Sequence, residues 1–253
     1  MTVTDDDGAS AAASRSVSVS DSVSTLDFRA GTSATKNTKR LVVTVPPSVR
    51  AGDALLLFVS ANRNNVTPTV PAGWTRLNHV TDSTMQSDVW WRVASSSDAG
   101  GSIPIAASLI TKMDAQLLAY SGTESPPVLV HSAAVEPGYT AAHRTPTVSV
   151  PSAGAWLVSY WADKSSAGSG WTEPAGTVRR LQSVGTGGGR ITSLSTDSGS
   201  PVPIGTSGGL TAASSTSSNM ATMWTIALAP GASSPPTQQF IDDAVRTGIY
   251  EVN

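Results

Sequence analysis

The feature that most constrains this chain is a repeated stretch that combines a strand end, a turn and an apolar run. Residues 43–60 read VTVPPSVRAGDALLLFVS, and residues 148–162 read VSVPSAGAWLVSYWA. In each copy a Val-x-Val-Pro strand end leads into a glycine turn and then into an apolar run. Runs of this length, bounded by Pro and Gly, are typical of strands buried on both faces. The chain is therefore expected to contain two related β halves.

Four pairs of landmarks occur in the same order in both halves and at similar offsets. They are Gly52 and Gly154, 102 positions apart; residues 71–73 and 174–176, 103 apart; residues 103–105 and 202–204, 99 apart; and residues 115–120 and 223–228, 108 apart. The small differences between the offsets are absorbed in loops. A period this long does not suit a solenoid repeat, so the pattern predicts an internal duplication.

Composition favours strands over helices. Only 13% of the 253 residues are charged, and Ser, Thr, Val, Ala and Gly dominate, whereas helix-favouring Glu and Lys are scarce. All-β sandwiches run to roughly 200–250 residues as one domain. The sequence thus predicts an all-β protein. Its predicted architecture is a jelly-roll-like antiparallel β-sandwich, built from two internally related halves and followed by a short C-terminal helix.

We divide the chain into three parts. Residues 1–24 are predicted to form an N-terminal extended arm, because they are too polar to bury a core of their own. Residues 25–230 form the sandwich, with related halves at about 40–123 and 145–230. Within it, glycine- and serine-rich segments 185–189 and 205–218 are predicted to be surface loops. Residues 121–146 are predicted to be linker-like, with one short strand, and residues 202–204 to be a strand.

The C-terminal part, residues 231–253, is predicted to be a tether and a docking helix. Thr237 can cap a helix over residues 238–246, which ends before Gly248. A helix of about nine residues is marginal alone in water, so its apolar side should dock on another surface. The predicted docking residues are Phe240, Ile241, Val245, Ile249 and Tyr250.

Charge and residue usage argue against several classes of function. The net charge is −2 and basic residues occur at most in pairs, which argues against a nucleic-acid binder. With no cysteine, the chain has no disulfide, thiolate zinc site or cysteine nucleophile. No apolar run approaches the ~20 residues of a membrane-spanning helix. His79, His131 and His143 lack the spacing of a metal site, so no metal or cofactor is predicted.

Catalytic motifs are also missing from the sequence. Glycoside hydrolysis requires two paired carboxylates, and the most site-like acid, Glu173 beside Trp171, also fits a solvated turn. No Gly-x-Ser-x-Gly lies at a predicted strand-to-helix turn, where a nucleophile elbow requires it. The glycines of segment 185–189 are not followed by the Lys-Ser/Thr of a phosphate-binding loop. We therefore expect a protein that is not an enzyme.

The seven tryptophans are the remaining informative residues. Trp74 and Trp171 lie beside the two Pro-Ala-Gly turns, and strand neighbours Trp90 and Trp91 must point to opposite faces. An aromatic ring on a loop can stack on the apolar face of a sugar. Trp74, Trp91 and Trp171 are therefore candidate glycan contacts; the alternative is that the turn tryptophans plug the ends of the sandwich.

Five motifs carry a resemblance to a known family. They are Val45-Pro46, Gly52-Asp53-Ala54-Leu55, PAGWT at residues 71–75, VWWRVA at residues 89–94 and AQLLAYSG at residues 115–122. The chain resembles, over roughly residues 28–230, the β-sandwich modules of actinobacterial secreted multidomain proteins and of minor tail proteins of actinobacteriophages. The second half has Ala155 where the motif has Asp53, and Thr177 where it has Trp74. The resemblance implies a sandwich and no catalytic set.

The expected function combines this resemblance with the two polar ends of the chain. The N-terminus lacks the basic and apolar regions of a secretory signal, which favours the phage member of the family. We expect a non-enzymatic virion protein, a minor tail or surface-decoration subunit, oligomeric within its assembly. The arm and the C-terminal helix would bind other virion proteins, and the sandwich would face a host cell-surface glycan. The alternative is a carbohydrate-binding module of a secreted bacterial protein.

Overall fold

The computed structural model of the chain describes residues 2–4, 10–12 and 25–231. All regular secondary structure in these ranges is strand, and every strand pair is antiparallel. The all-β antiparallel fold predicted from composition is confirmed. Within the predicted arm, β1 (Thr2–Thr4) pairs with β2 (Ser10–Ala12). The predicted C-terminal helix, with its five docking residues, lies outside the described residues.

The first half contains one antiparallel sheet whose strands differ in length. Its strands are β3 (Asp27–Thr44), β4 (Ala54–Ala61), β5 (Pro68–Thr69), β6 (Thr75–Thr81), β7 (Gln86–Val93) and β8 (Ser102–Ser121). Their order is β3-β8-β4-β7-β6, and β5 pairs with β8. Every residue of β4 is buried, as its uninterrupted apolar run predicts.

The second half repeats this plan with more and shorter strands. These are β9 (Thr123–Val135), β10 (Thr140–Arg144), β11 (Thr147–Val150), β12 (Trp156–Ser165), β13 (Trp171–Thr172), β14 (Val178–Val184), β15 (Arg190–Asp197), β16 (Gly205–Gly208), β17 (Thr211–Ser218) and β18 (Ala221–Pro230). The main sheet has the order β14-β15-β12-β18-β9. Two small sheets, β10-β17-β13 and β11-β16, cover one of its faces.

The two main sheets have the same strand order and bulge positions. Reading β3, β8, β4, β7, β6 against β9, β18, β12, β15, β14 matches every strand with its counterpart. One bulge skips Leu77 in the first sheet and Arg180 in the second, 103 positions apart. Another skips Arg29 and Leu129, 100 positions apart. Because a bulge inserts a single unpaired residue, its recurrence at matched positions fixes the alignment of the halves.

The core lies in layers. Apolar side chains of β4, β7 and β8 on one sheet pack against those of β12, β15 and β18 on the other. The opposite face of the first sheet is covered by β5 and by the bent ends of β3 and β8. Because each main sheet is covered on both faces, its central strands are buried over most of their length, and most of their side chains are apolar.

Two predicted segments differ from the structure. Residues 202–204, predicted as a strand, are irregular, and β16 takes the place beside β11 instead. Residues 205–218, predicted as a surface loop, form β16 and β17. The linker-like region 121–146 likewise contains β9 and β10. The small Ser, Thr and Gly residues of segment 205–218 led to the prediction of a loop. They instead form short strands that lie close over the main sheet, where larger side chains have no room.

The close approach of β16 to the main sheet makes Gly208 sensitive to substitution. Gly208 has φ +93°, and an added Cβ would lie 2.6 Å from the carbonyl oxygen of Pro146. We expect Gly208→Ala to lower the free energy of unfolding by about 3 kcal/mol, from backbone strain and overpacking together. Gly205→Ala is the matched control, since φ is +108° there but nothing lies within 4 Å of the added Cβ. Urea unfolding should show a loss of only about 1–2 kcal/mol for the control; equal losses would show that the close contact is unimportant.

Candidate functional site

The structure does not bring the three candidate tryptophans together. Trp74 is half-buried against the outer core of the first half, and Arg92 lies over its ring at 5.5 Å. Trp91 is half-buried on the opposite face of the same sheet, against the core between the two main sheets. As predicted, the neighbours Trp90 and Trp91 face opposite sides, but Trp90 is the more buried of the two. These rings form no shared platform.

Trp171 has no free face for a sugar. Its side chain is only 5% exposed, and it belongs to the core beneath the sheet β10-β17-β13. The ring of His143 packs against it at 5.5 Å. This burial argues against Trp171 as a glycan contact, because stacking requires an exposed ring face. The neighbouring Glu173 forms an ion pair with Arg179, and that hydrogen bond lowers the pKa of its carboxyl.

A hydroxyl, an imidazole and a carboxylate are aligned on β6 and β7. His79 Nδ1 lies 3.0 Å from Asp88 Oδ1, and His79 Nε2 lies 2.5 Å from the hydroxyl of Thr81. The Asp88 carboxylate is fully buried and also pairs with Arg76. With the proton on Nδ1, the imidazole accepts from Thr81, which is the order of groups in a hydrolase triad.

The two backbone N–H groups that follow Thr81 are already engaged and cannot act as oxyanion donors. The N–H of Asp82 donates to Met85 O at 2.9 Å, and the N–H of Ser83 donates to the Asp82 carboxylate. Since an oxyanion hole needs unengaged donors aimed at the reacting centre, we assign this chain of hydrogen bonds to holding the edge strand β6 in register.

A second polar cluster lies buried between the main sheet of the second half and its cover. His143 Nδ1 is 3.1 Å from Glu136 Oε2, and His143 Nε2 is 3.6 Å from Asp163 Oδ2. Neither carboxylate oxygen of Asp163 has a hydrogen-bond partner among the described residues. His143 therefore joins strand β10 of the cover to strand β12 of the main sheet, in a position closed to solvent.

Polar side chains also cross between the two main sheets. Asp114 on β8 accepts hydrogen bonds from Ser183 and Ser193 of the second half. Burial raises the pKa of Asp114 to about 6, although both serines act to lower it. On the same interface, Tyr120 donates to Asp197, which Arg180 holds through two hydrogen bonds of 2.6 and 2.9 Å. These hydrogen bonds fix the position of one main sheet relative to the other.

A polar cleft lies at one end of the main sheets. We call it the distal cleft. Its volume is about 400 Å³, and it is lined by residues 62–65 of one loop, Ser83 and Thr84 of a second, and Lys164 of β12. All seven side chains are polar or positively charged, so the site suits a hydrophilic ligand.

Residues of both halves build the floor of the distal cleft. The amide of Asn62 donates to Gly189 O at 2.8 Å, and its oxygen accepts from Thr111 at 2.8 Å. From the other side, Lys164 Nζ donates to Thr84 O at 3.0 Å. The Asn62–Gly189 and Lys164–Thr84 bonds link one half to the other, whereas the Asn62–Thr111 bond lies within the first half. Together they hold the ends of β4 and β12 in a fixed arrangement around the cleft.

The distal cleft is positively charged. Arg63 and Lys164 both line it. Burial, followed by the charge of Arg63, lowers the pKa of Lys164, while Asp82 acts in the opposite direction. Because these two positive charges repel one another, binding of an anionic group in the distal cleft is favoured.

The chain enters and leaves this unit at the end opposite the distal cleft. Asp27, near the first residue of the unit, pairs with Ser121, and the N–H of Gly231 donates to Gly122 O at 2.7 Å. Strand β4 starts at this proximal end, beside Tyr120, and runs 8 residues to the residue before Asn62. At about 3.3 Å per residue, the cleft lies roughly 25 Å from the points where the chain enters and leaves this unit.

Comparison of the chain with protein-family models, with curated proteins and with solved structures found no match. Within residues 2–4, 10–12 and 25–231, no group of three or more metal-ligating side chains could hold a metal ion. The same residues include no helix that is long and apolar enough to cross a membrane.

The sequence singled out none of the residues that form the distal cleft. Residues 62–65 are a polar turn by composition, and Lys164 follows a buried strand more than a hundred positions later. The one available signal was the repeat itself. Strand β12 is the counterpart of β4, so the residues that follow both strands meet at the same end of the stacked sheets.

Proposed function

We propose that this chain is a non-enzymatic structural protein of a bacteriophage virion, a minor tail or surface-decoration subunit that presents a host-facing end. One observation carries the proposal. The chain enters and leaves the described unit at its proximal end, and a polar cleft lies at the distal end. A subunit with this arrangement is attached to the virion at its proximal end and binds a ligand at its distal end.

The packing of the unit supports a role as a stiff spacer. Its main sheets share a continuous apolar core, and buried hydrogen bonds such as Tyr160 to Ser60, 2.9 Å, and Trp224 to Ser87, 2.7 Å, cross between them. Apolar burial together with paired polar groups gives a unique arrangement of the sheets. A force or contact at one end is then transmitted to the other without rearrangement.

The unit itself is best explained as a tandem duplication of a jelly-roll-like half-sandwich. The shared strand order and the bulges at matched positions support this origin. The halves diverged most in their covers, where a pair of long bent strands in the first half corresponds to several short strands in the second. The duplication thus preserved the main sheets, whereas the strands that cover them changed.

In the proposed assembly, residues 1–24 and the docking residues Phe240, Ile241, Val245, Ile249 and Tyr250 bind other virion proteins. The protein is located in the virion as an oligomer and takes no cofactor. The distal end faces the host surface.

The alternative is a secreted carbohydrate-binding module that uses Trp74 and Trp91. It requires exposed ring faces, and both rings are half-buried on opposite faces of one sheet. Glycan binding that survives alanine at both positions would remove this alternative.

The attachment role predicts the effect of deleting residues 238–253. Particles assembled with the truncated chain should contain at least about tenfold less of it, since a tenfold loss corresponds to about 1.4 kcal/mol of docking energy. Quantitative mass spectrometry of purified particles measures the incorporated protein.

The matched control is Tyr139→Ser, which removes an aromatic ring that is 77% exposed on the described unit. This variant should be incorporated at the normal level. If the truncated chain were incorporated as well as the control, the docking role of the C-terminal end would be wrong.

A further inference from the structure

The side chains of the distal cleft divide into those that build it and those that are free to bind. The side chains of Asn62 and Lys164 are engaged in hydrogen bonds that build the cleft: Asn62 bonds to Gly189 and Thr111, and Lys164 bonds to Thr84. Asn64 donates to Ser83 O and so joins the two lining loops. By contrast, Arg63 and Asn65 are exposed, and neither side chain has a hydrogen-bond or ion-pair partner among the described residues. A guanidinium and an amide therefore remain available on a prebuilt floor.

The available groups match a ligand rich in hydroxyls. Asparagine offers two N–H donors and a carbonyl acceptor, and the hydroxyls of Ser83 and Thr84 both donate and accept. Such groups satisfy the alternating donor and acceptor needs of sugar hydroxyls. The cleft volume of about 400 Å³ falls within the range of small-ligand sites.

The charge of the distal cleft selects among such ligands. Arg63 is close enough to Lys164 to lower the pKa of that lysine, with burial as the larger cause. An anionic group placed between them would relieve this repulsion and accept charge-assisted hydrogen bonds from the free guanidinium. Asp82 is the one acid that acts on Lys164, and its carboxylate already accepts from the N–H of Ser83.

We infer that the distal cleft binds an oligosaccharide that carries a carboxylate or phosphate group, with Arg63 as the principal anion contact. The hydroxyl-rich part of the ligand contacts Asn65, Ser83 and Thr84. Lys164 is a positioning residue whose charge adds to the field of the site. This inference rests on the proposed function, because it names the class of host-surface ligand that the distal end would meet.

The inference is tested by binding of the full chain to an array of acidic and neutral oligosaccharides that includes uronic-acid and sugar-phosphate members. Hits are measured by titration calorimetry at low and at physiological salt. Acidic members should bind at least about tenfold more tightly than neutral members of the same length, because a hydrogen bond to a charged group contributes roughly 1.5–3 kcal/mol. The two acidic types distinguish carboxylate from phosphate as the anion.

Variants then locate the site. Arg63→Ala should weaken binding by about tenfold or more, and Arg63→Lys should recover part of the loss, since lysine keeps the charge but not the fork of donors. Arg50→Ala is the matched control, because Arg50 is equally exposed but lies in the turn at the proximal end. Both arginines are exposed, so thermal unfolding should be unchanged.

Three results would overturn the inference: no acidic member binds, neutral members bind equally well, or Arg63→Ala binds as the control does. Incorporation into particles is a separate measurement. Failure on the array with normal incorporation would remove the acidic ligand alone, whereas loss of the attachment role would appear in the incorporation measurement with glycan binding intact.

Discussion

Replacing the fully buried His143 with alanine is expected to lower the free energy of unfolding by about 3 kcal/mol, because it opens a cavity and removes the neighbour of two acidic side chains. The ring lies between Glu136 and Asp163, at 3.1 and 3.6 Å, and its side chain is fully buried. Without it, the buried Asp163 carboxylate would have neither an ionic nor a hydrogen-bond partner among the described residues. The substitution also removes the contact with the Trp171 ring.

Urea unfolding followed by tryptophan fluorescence measures this effect, since the chain has seven tryptophans. His131→Ala is the matched control: this half-buried histidine on β9 is outside the cluster, so its loss should be under about 1 kcal/mol. Adding Asp163→Asn to His143→Ala should recover part of the stability, because a buried amide without a partner costs less than a buried carboxyl group. If the double variant were no more stable than His143→Ala, the loss would not come from the unpartnered Asp163 side chain.

Replacing Asp114 with asparagine should raise stability at pH 7 by up to about 3 kcal/mol. Burial raises the pKa of the Asp114 carboxyl to about 6 from the 3.8 of an unperturbed aspartate, and each pKa unit corresponds to 1.36 kcal/mol. At pH 7 the folded protein must therefore hold a buried carboxylate that it prefers to protonate. Asparagine keeps the shape and can exchange hydrogen bonds with Ser183 and Ser193.

The sign of the pH dependence follows from linkage. Because the pKa is higher in the folded state, the folded chain binds the proton more tightly, and the contribution of Asp114 to stability is fully present below about pH 4. It is lost as the pH rises from about 4 through about 6. The Asp114→Asn curve should lie above that of the parent protein at pH 7 and converge on it near pH 4.

The control for Asp114→Asn is the same substitution at Asp98, whose pKa is lowered rather than raised in the folded protein. Burial alone would raise the pKa of Asp98, but hydrogen bonds from Ser95 and the Arg92 guanidinium outweigh burial and lower it. Asp98→Asn should therefore reduce stability at neutral pH rather than increase it. Chemical unfolding at pH 4, 5, 6 and 7 separates the two cases; a loss of stability for Asp114→Asn at pH 7 would contradict the argument.

Much of the scaffold could be predicted from the sequence. The apolar runs that became β4 and β12 are bounded by Pro and Gly, and a strand buried on both faces needs little more than that local pattern. The offset of 108 between residues 115–120 and 223–228 agrees with the ladder, in which Ala119 and Ala227 occupy matched positions beside a bulge. Strands β16 and β17 were missed because their Ser, Thr and Gly residues are also typical of loops.

The candidate sites were predicted less well. Trp171 has the sequence context of an exposed turn, and its burial depends on a cover formed by β10 and β17, which come from distant parts of the chain. The distal cleft depends on Asn62 and Lys164 meeting at one end of two stacked sheets. Neither fact is encoded in a local pattern, because both arise from contacts between residues far apart in sequence.

The sequence by itself therefore determined the all-β class and the repeated central strands, since hydrophobic periodicity and turn residues act over a few neighbouring positions. Only the tertiary structure decided which polar groups meet: Asp114 with the serines of the other half, His143 with two carboxylates, and Arg63 beside Lys164. The physical reason is that sheet stacking sets these distances. The desolvation and charge effects that give those groups their properties follow from the distances, not from the order of the residues.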